Sequence, residues 1–303
     1  MKINLLERDC PICKNSESPN VLEINPDIDP QLNEKIIENY WSGFFKEKVF
    51  FPYYRCNCGF LFNKKFPDQN SLNTLYSNQN DNVIYGDLTL DIKTKEYYLN
   101  QLKNFFPDLN KNYKILEIGA DNGNFLKLLK YTFKNSDFYA IEPNNNMKNN
   151  LENITKSYFK NIDEIGEDIK FDLIIGIHVF DHIPNLNEYF SKLNKHLDYS
   201  GHIFGVVHNE KSLMAKIFKK NWPIFRLQHP HLFNHSSLND FFSKNNFDKI
   251  FIKKTKNFFN FGFLLNQFFL SILKVKTPIP NFFSIGIKLG NFSFLYKKKQ
   301  LTL

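Results

Sequence analysis

Blocks of apolar residues recur along this chain with two different periods. From Tyr113 onward, strand-like and helix-like blocks take turns. Ile115, Leu116 and Ile118 form a short apolar run with few polar breaks, the pattern of a strand buried on both faces. Phe125, Leu126, Leu128 and Leu129 then fall at helical spacing. Phe138 to Ile141 is the next strand, and Tyr158-Phe159-Lys160 marks a third. Phe171 to Ile177 reads as a fourth. Leu186, Tyr189, Phe190, Leu193 and Leu197 repeat at helical spacing, and Ser200-Gly201 is expected to close that helix. His202 to Val207 is a fifth strand, Lys249 to Lys256 a sixth and Phe292 to Lys297 a last one. Upstream, Lys95 to Phe106 is predicted as a helix with Tyr98, Leu99, Leu102, Phe105 and Phe106 on one side, ended by Pro107 and Asp108. Leu32 to Trp41 also has helical spacing. The alternation predicts an α/β domain, a parallel sheet with helices on both faces.

Chemistry gathers first around the turn after Ile118. Gly119 and Gly123 mark a turn that needs little side-chain bulk. A strand, a glycine turn and a helix together aim backbone N–H groups and a positive helix end at one spot. Glu142 closes the second strand, where an acidic side chain can accept both hydroxyls of a ribose. That pairing points to a nucleoside-bearing cofactor. As spelled, Glu117-x-Gly119-x-x-x-Gly123 resembles motif I of class I S-adenosylmethionine (SAM) methyltransferases, usually Glu/Asp-x-Gly-x-Gly-x-Gly. Asp121 stands at the middle glycine, and Asp121-Asn122-Gly123 resembles the Asn-Asp-Gly turn of members that act on sugars. The resemblance implies a Rossmann-like, mostly parallel seven-stranded sheet with an antiparallel last strand. It implies SAM held by Glu117, Gly119, Asp121, Gly123 and Glu142, with His178 at the end of the fourth strand. It also implies an adenine contact after strand three, for which Asp163 is the candidate. A helix before the first strand would roof the cofactor, with Tyr85 and Thr94 within reach.

All four cysteines lie near the start, as Cys10-Pro-Ile-Cys13 and Cys56-Asn-Cys58-Gly59. Two close pairs suit a tetrahedral thiolate site for structural zinc, which leaves the metal no open position. The order Phe51-Pro52-Tyr53-Tyr54-Arg55-Cys56-Asn57-Cys58-Gly59-Phe60 resembles the zinc-binding N-terminal domain of bacterial deoxysugar C-methyltransferases and related surface-polysaccharide methyltransferases. In those proteins the second pair is usually Cys-x-x-Cys-Gly. Trp41 and the aromatic cluster up to Phe51 read as core.

All eight histidines fall between His178 and His235. Ligands of open α/β sheets bind beyond the carboxyl ends of the strands, where His178 and His208 end strands four and five. His182 follows in the first loop; His229, His231 and His235 lie in the insertion after strand five. His196 and His202 read as packing residues on the far side. The run His178-Val-Phe-Asp-His182-Ile-Pro-Asn-Leu resembles the family phrase Asn-x-x-x-His-x-x-x-Leu, with His178 in place of the asparagine. Gln228-His229-Pro230-His231-Leu232-Phe233 resembles the Glu-His-x-x-Tyr-Phe-Ser region of the sugar C-methyltransferases. There the histidine is a proposed base, which makes His229, with His182 and His178, the catalytic candidates. Gln228 departs from the glutamate and weakens the case for C-methylation.

At 303 residues the chain can hold one sizeable core and a small module. Boundaries are expected at 1–80 for the zinc module, 81–112 for a linking helix and 113–303 for the SAM domain. Its last part, 256–303, is aromatic and basic. The net charge of +8 permits an anionic partner, but the lysines are dispersed, as on a solvated surface. Nucleic acid is therefore the lesser expectation. No apolar signal segment opens the chain, and Phe263 to Leu273 is too short to span a bilayer, although it can touch a membrane surface. The expected location is the cytoplasm. The expected activity is SAM-dependent methylation of a nucleotide-activated sugar or surface glycan. The alternatives are an rRNA base methyltransferase with a zinc module and a SAM-fold binding protein without turnover, the last suggested by Asp121.

Overall fold

The structure is a computed structural model that describes residues 3–14, 21–43, 45–77 and 87–300. A seven-stranded sheet runs through its middle: β1 (Lys114–Ile118), β2 (Asp137–Ile141), β3 (Ser157–Phe159), β4 (Phe171–Ile177), β5 (Leu197–His208), β6 (Phe247–Lys254) and β7 (Asn291–Lys298). Their order across the sheet is β3-β2-β1-β4-β5-β7-β6. The first five strands pair in parallel, and β7 enters antiparallel between β5 and β6. This is the α/β class predicted from the apolar blocks. The chain reverses its direction of winding between β1 and β4, and their carboxyl ends open a crevice there.

Alternation along the strands splits the core between two faces. Ile115, Ala140, Leu173, Ile175, Phe204 and Val206 point to one side, under the helices α1 (Leu88–Lys103) and α2 (Asn124–Thr132). Leu116, Ile118, Tyr139, Ile174 and Ile203 point to the other. There they meet α3 (Leu186–Lys195) and α5 (His235–Lys244) through Phe190, Leu193, Phe241 and Phe242. Two further helices follow the sheet's outer edge and loops: α4 (Leu213–Phe218), between β5 and α5, and α6 (Phe261–Leu273), before β7.

Two expectations of extent change. The first helix begins earlier, at Leu88, because Asp87 caps it by accepting from the N–H groups of Thr89 and Leu90. It stops at Lys103, before Pro107, and leaves Phe105 exposed. Ser200-Gly201 does not close α3, which ends at Lys195 with His196 as its cap. Leu197 instead starts β5 opposite Phe171, and the register to β4 shifts before His202 meets Leu173. Ser200-Gly201 sits in that irregular stretch. The apolar repeat seen from Leu186 to Leu197 spans two elements because Leu197 faces the same core as the helix.

The N-terminal part shares a sheet with the rest. Val21–Ile24, Tyr53–Arg55 and Leu61–Asn63 are joined at one edge by His231–Leu232, in the order 231–232, 61–63, 53–55, 21–24. His231 lies opposite Phe62 and Leu232 opposite Leu61. A second ladder pairs Leu5–Glu7 with Lys65–Pro67. Leu32 to Trp41 contains a helix, Glu34–Tyr40, and Trp41 is core as expected. Tyr85 lies outside the described residues.

The turn after β1 depends on its glycines. Gly123 has φ +75°, and a Cβ there would lie 2.3 Å from Ile154 Cδ1. Gly166 has an ordinary φ, and its nearest neighbour would be an Ile169 atom at 3.8 Å. Gly123→Ala is therefore expected to destabilise the fold by more than about 1 kcal/mol, with Gly166→Ala close to neutral. Chemical denaturation of both variants checks this, and equal midpoints would contradict it.

Candidate functional site

One cavity of about 560 Å³ lies over the carboxyl ends of β1, β2, β4 and β5, and its wall includes residues from α1, α4 and α6. Its first half is built by the turn after β1. The Gly119 N–H donates to the Ile141 carbonyl at 2.8 Å, which ties the turn to the end of β2. Gly119 has φ +63°, and a Cβ there would meet Val179 Cγ2 at 2.6 Å. Asp121 takes φ +50° without being glycine. Its backbone N–H donates to Glu142 Oε2 at 2.9 Å, and the Asn144 N–H donates to Glu142 Oε1 at the same distance. The Glu142 carboxylate is thus aimed by two backbone donors and keeps lone pairs for a ligand. Removal from water pushes its pKa up to about 7, and the two N–H groups pull the other way. Glu117 is buried beside it, and Oε2 has no partner. Burial raises the Glu117 pKa to about 8, with Lys95 opposing.

The second half holds rings. Of the chain's eight histidines, His178, His182, His208 and His229 line this cavity. His178 and His208 stack with centroids 4.5 Å apart, His208 and His229 meet at 5.1 Å, and His182 and His229 at 4.5 Å. Loss of water holds His178 and His229 well below the ordinary imidazole value, with neighbouring rings adding to it. The same burial lowers His182 to about 4. These rings are neutral at physiological pH. His229 Nδ1 lies 2.6 Å from the Ile224 carbonyl, so it carries the proton and Nε2 keeps its lone pair. Trp222, Phe259, Phe263 and Phe268 supply flat apolar walls, and Gln228, Gln267, Asn257 and Asn291 supply amides.

The cavity brings together most of the residues named from the sequence. Glu117, Gly119, Asp121, Glu142, His178, His182 and His229 line it. Gly123 stands behind the wall as the N-cap of α2. Thr94 lines the cavity, with its Oγ1 accepting from the Phe258 N–H. Asp163 departs from expectation: it is exposed, pairs with Lys192 at 2.9 Å and lies off the cavity, whose wall there is Lys160 and Asn161. Asp163 lies in the 3₁₀ turn Ile162–Glu164, which Asn161 caps. His231 is buried against the Phe180 carbonyl, and His235 packs on Phe292, so neither reaches the cavity. Asp181 was missed. It is fully buried, and a charged side chain inside the run His178-Val-Phe-Asp-His was the available signal.

The four cysteines form a separate cluster. Cys10 and Cys58 sulfurs lie 3.5 Å apart, Cys13 and Cys56 sulfurs 3.4 Å, and all four within 4.8 Å of one another. Zinc–sulfur bonds of about 2.3 Å in a tetrahedron give edges of ~3.8 Å, so the set fits that ion.

A family profile described as "Methyltransferase domain" matches residues 91–250. No curated protein matches the chain. Among solved structures it resembles magnesium protoporphyrin IX methyltransferase from Synechocystis with bound SAH (13% identity, 74% of this chain and 91% of that one, TM-score 0.49). It also resembles a SAM-dependent methyltransferase from Clostridium acetobutylicum (13% identity, 76% and 98%, TM-score 0.48). A third is the plantazolicin methyltransferase BpumL with SAH (14% identity, 70% and 83%, TM-score 0.44).

A raised carboxyl pKa means that the folded state holds a proton which the unfolded chain releases near pH 4.5. Stability from that group is complete below pH 4.5 and is lost as pH rises toward 8. Glu117→Gln removes the penalty. Without cofactor, the variant should match the parent's melting temperature at pH 5 and exceed it at pH 8. A difference that does not grow with pH would contradict the assignment.

Proposed function

We infer the reaction from one premise: the chain belongs to the methyltransferase-domain family, matched over residues 91–250, and is a SAM-dependent methyltransferase. We propose that its acceptor is a sugar hydroxyl, on a nucleotide-activated sugar or a surface glycan, with His229 as general base. One arrangement supports this above the others. A single cavity joins a carboxylate poised for ribose, Glu142, to a neutral imidazole whose free nitrogen is fixed by its tautomer, His229.

The donor half fits SAM. Glu142 offers two oxygens to the ribose hydroxyls, and Gly119, at φ +63° and packed on Val179, makes the tight turn that brings the backbone of residues 119–121 to the cavity wall. The orphaned Oε2 of Glu117 suits a cationic partner such as the cofactor's amino group. Bound SAM supplies a sulfonium methyl that passes to a nucleophile as its S–C bond breaks. The chain's own residues do the rest. His229 Nε2 takes the hydroxyl proton as the C–O bond forms, a gain of typically 10²–10⁴-fold. The aromatic walls hold the acceptor in line with the methyl at near-attack distance, about 3 Å. Gln228, where the resembled phrase has glutamate, gives the site an amide in place of a carboxyl, which favours oxygen as the acceptor. Asp121 does not argue against turnover: aspartate tolerates the left-handed backbone there, and its N–H still aims Glu142.

The mouth of the cavity favours an acceptor carried on a lipid among the sugar class. Met214 and Phe218 of α4 and Phe263, Leu264 and Phe268 of α6 line it. Leu213, Ile217, Phe268 and Leu273 of the same helices stay exposed, and no Asp or Glu follows Asp248 in the chain. Among the described residues no helix is long and apolar enough to cross a membrane. We assign zinc to Cys10, Cys13, Cys56 and Cys58 as a structural ion, in a reducing compartment such as the cytoplasm.

Three experiments test these readings. Purified protein and methyl-labelled SAM are added to extract of native cells, then split into nucleotide sugars, glycan, lipid-linked glycan and RNA. Label is expected in a sugar fraction; label in RNA alone would sink the acceptor assignment. His229→Ala should lower turnover at least 100-fold with SAM affinity nearly intact. Separately, Cys56→Ser is expected to lower zinc content and the melting temperature of the N-terminal part, and a full equivalent of zinc in that variant would exclude the four-thiolate site.

A further inference from the structure

Beside two of the cavity's histidines lies a buried charge that methyl transfer through His229 does not use. Asp181 has no exposure, and its Oδ1 has no hydrogen-bond partner. Oδ2 accepts from the His208 backbone N–H at 3.2 Å and lies 3.8 Å from His208 Nε2. No Lys or Arg pairs with it among the described residues. A carboxylate taken out of water is stable when it is paired or on a metal. Two imidazoles face it. His178 Nδ1 is buried and also lacks a partner. One ligand atom each from His178, Asp181 and His208 lies within 4.8 Å of the other two.

The surroundings prepare these groups for ligation. His208 Nδ1 lies 2.8 Å from Asn291 Oδ1. The Asn291 amide is itself oriented, since its Nδ2 donates to Asn257 Oδ1, which also accepts from the Tyr98 hydroxyl. His208 Nδ1 therefore carries the proton, and Nε2 presents its lone pair toward Asp181. A carbonyl that binds the far nitrogen of a ligating histidine and so fixes its tautomer is a regular feature of metal sites. His178 is held at φ +54°, a backbone state that a β-carbon resists and that persists only where the surroundings impose it. It turns the ring into the same space as His208.

We propose that His178, Asp181 and His208 bind a divalent transition-metal ion that chelates two neighbouring hydroxyls of the acceptor sugar. Two imidazoles and one carboxylate are a donor set for ions of the zinc, manganese and iron(II) group. Three protein ligands leave open positions for two oxygens. Bonds of about 2.1 Å place cis ligands ~3.0–3.4 Å apart, so the set closes on an ion by shifts of about an ångström. The ion would offset the Asp181 charge and acidify the hydroxyl it holds. That hydroxyl proton passes to His229 Nε2, the new C–O bond forms, and the S–C bond of the donor breaks to leave the neutral thioether. No electron changes hands. The site rests on the sugar-methylation reading for its ligand, but not for its metal.

The test reads metal first and activity second. The full chain is loaded with one equivalent of zinc to fill the thiolates, then titrated with Co²⁺ by calorimetry and visible absorbance. One further equivalent is expected, with the weak bands of nitrogen and oxygen ligation and no thiolate charge-transfer band. Asp181→Asn with His208→Gln should abolish that equivalent, and His178→Asn, which suits the same backbone, should weaken it at least tenfold. Asn291→Ala should weaken it by about 10–100-fold. SAM affinity of the Asp181→Asn, His208→Gln variant, unchanged, certifies its fold. No uptake beyond the thiolate equivalent, or equal uptake by the variants, would overturn the site. If methyl still reached sugar in that case, the His229 reading would stand without the ion; uptake of Co²⁺ with no methyl on any sugar would sink that reading and leave the ion.

Discussion

Arg8 is the hinge on which the geometry of this molecule turns. Its side chain is half-buried and the guanidinium donates to the carbonyls of Asn63, Pro184 and Pro230. Burial lowers its pKa to about 9, so it stays charged at neutral pH and cannot be left without acceptors. Hydrogen bonds to a charged group are worth roughly 1.5–3 kcal/mol each. Two of them bind the N-terminal segment to the loop after β4, at Pro184, and to the loop that carries His229, at Pro230; the third, to Asn63, stays within the N-terminal part. The strand His231–Leu232 pairs with Leu61–Asn63 beside it, and the Tyr53 hydroxyl donates to the His229 carbonyl at 2.6 Å. Arg8 stands two residues before Cys10, and Tyr53 three before Cys56. Two contacts that hold the His229 loop, the Arg8 guanidinium on the Pro230 carbonyl and the Tyr53 hydroxyl on the His229 carbonyl, thus start from chain segments next to the cysteine cluster. A structural ion there would act on catalysis through position, from outside the cavity.

That arrangement explains what could be read from the sequence and what could not. The central strands of the sheet were legible because residues 115–118, 138–141 and 171–177 are dense apolar runs. The turn glycines and Glu142 were legible because their roles are local: a left-handed backbone, an end of a strand. Asp163 was not, because a 3₁₀ turn rotates by a third of a circle per residue, and one step decides between cavity and solvent. Asp87 as a cap and Ser200-Gly201 as a strand irregularity were decided by which carbonyls and N–H groups lay opposite, which only the folded sheet supplies. The union of the N-terminal strands with His231–Leu232 joins residues some 170 positions apart and has no local signature at all.

Two positions where the chain departs from the motifs it resembles have one property in common. Asp121 stands where a glycine is usual, and His178 where an asparagine is usual, and both have a positive φ, +50° and +54°. Glycine and asparagine are the residues that reach this region most readily, and aspartate and histidine follow them. The backbone constraint is thus retained while the side chain is replaced. At Asp121 the replacement leaves the function of the turn alone, since the group that aims Glu142 is a backbone N–H. At His178 it puts a ring nitrogen where the resembled phrase has an amide, within reach of Asp181 and His208. A substitution that preserves a strained backbone and adds a ligand atom next to a buried carboxylate changes what the cavity can bind without disturbing how it is built.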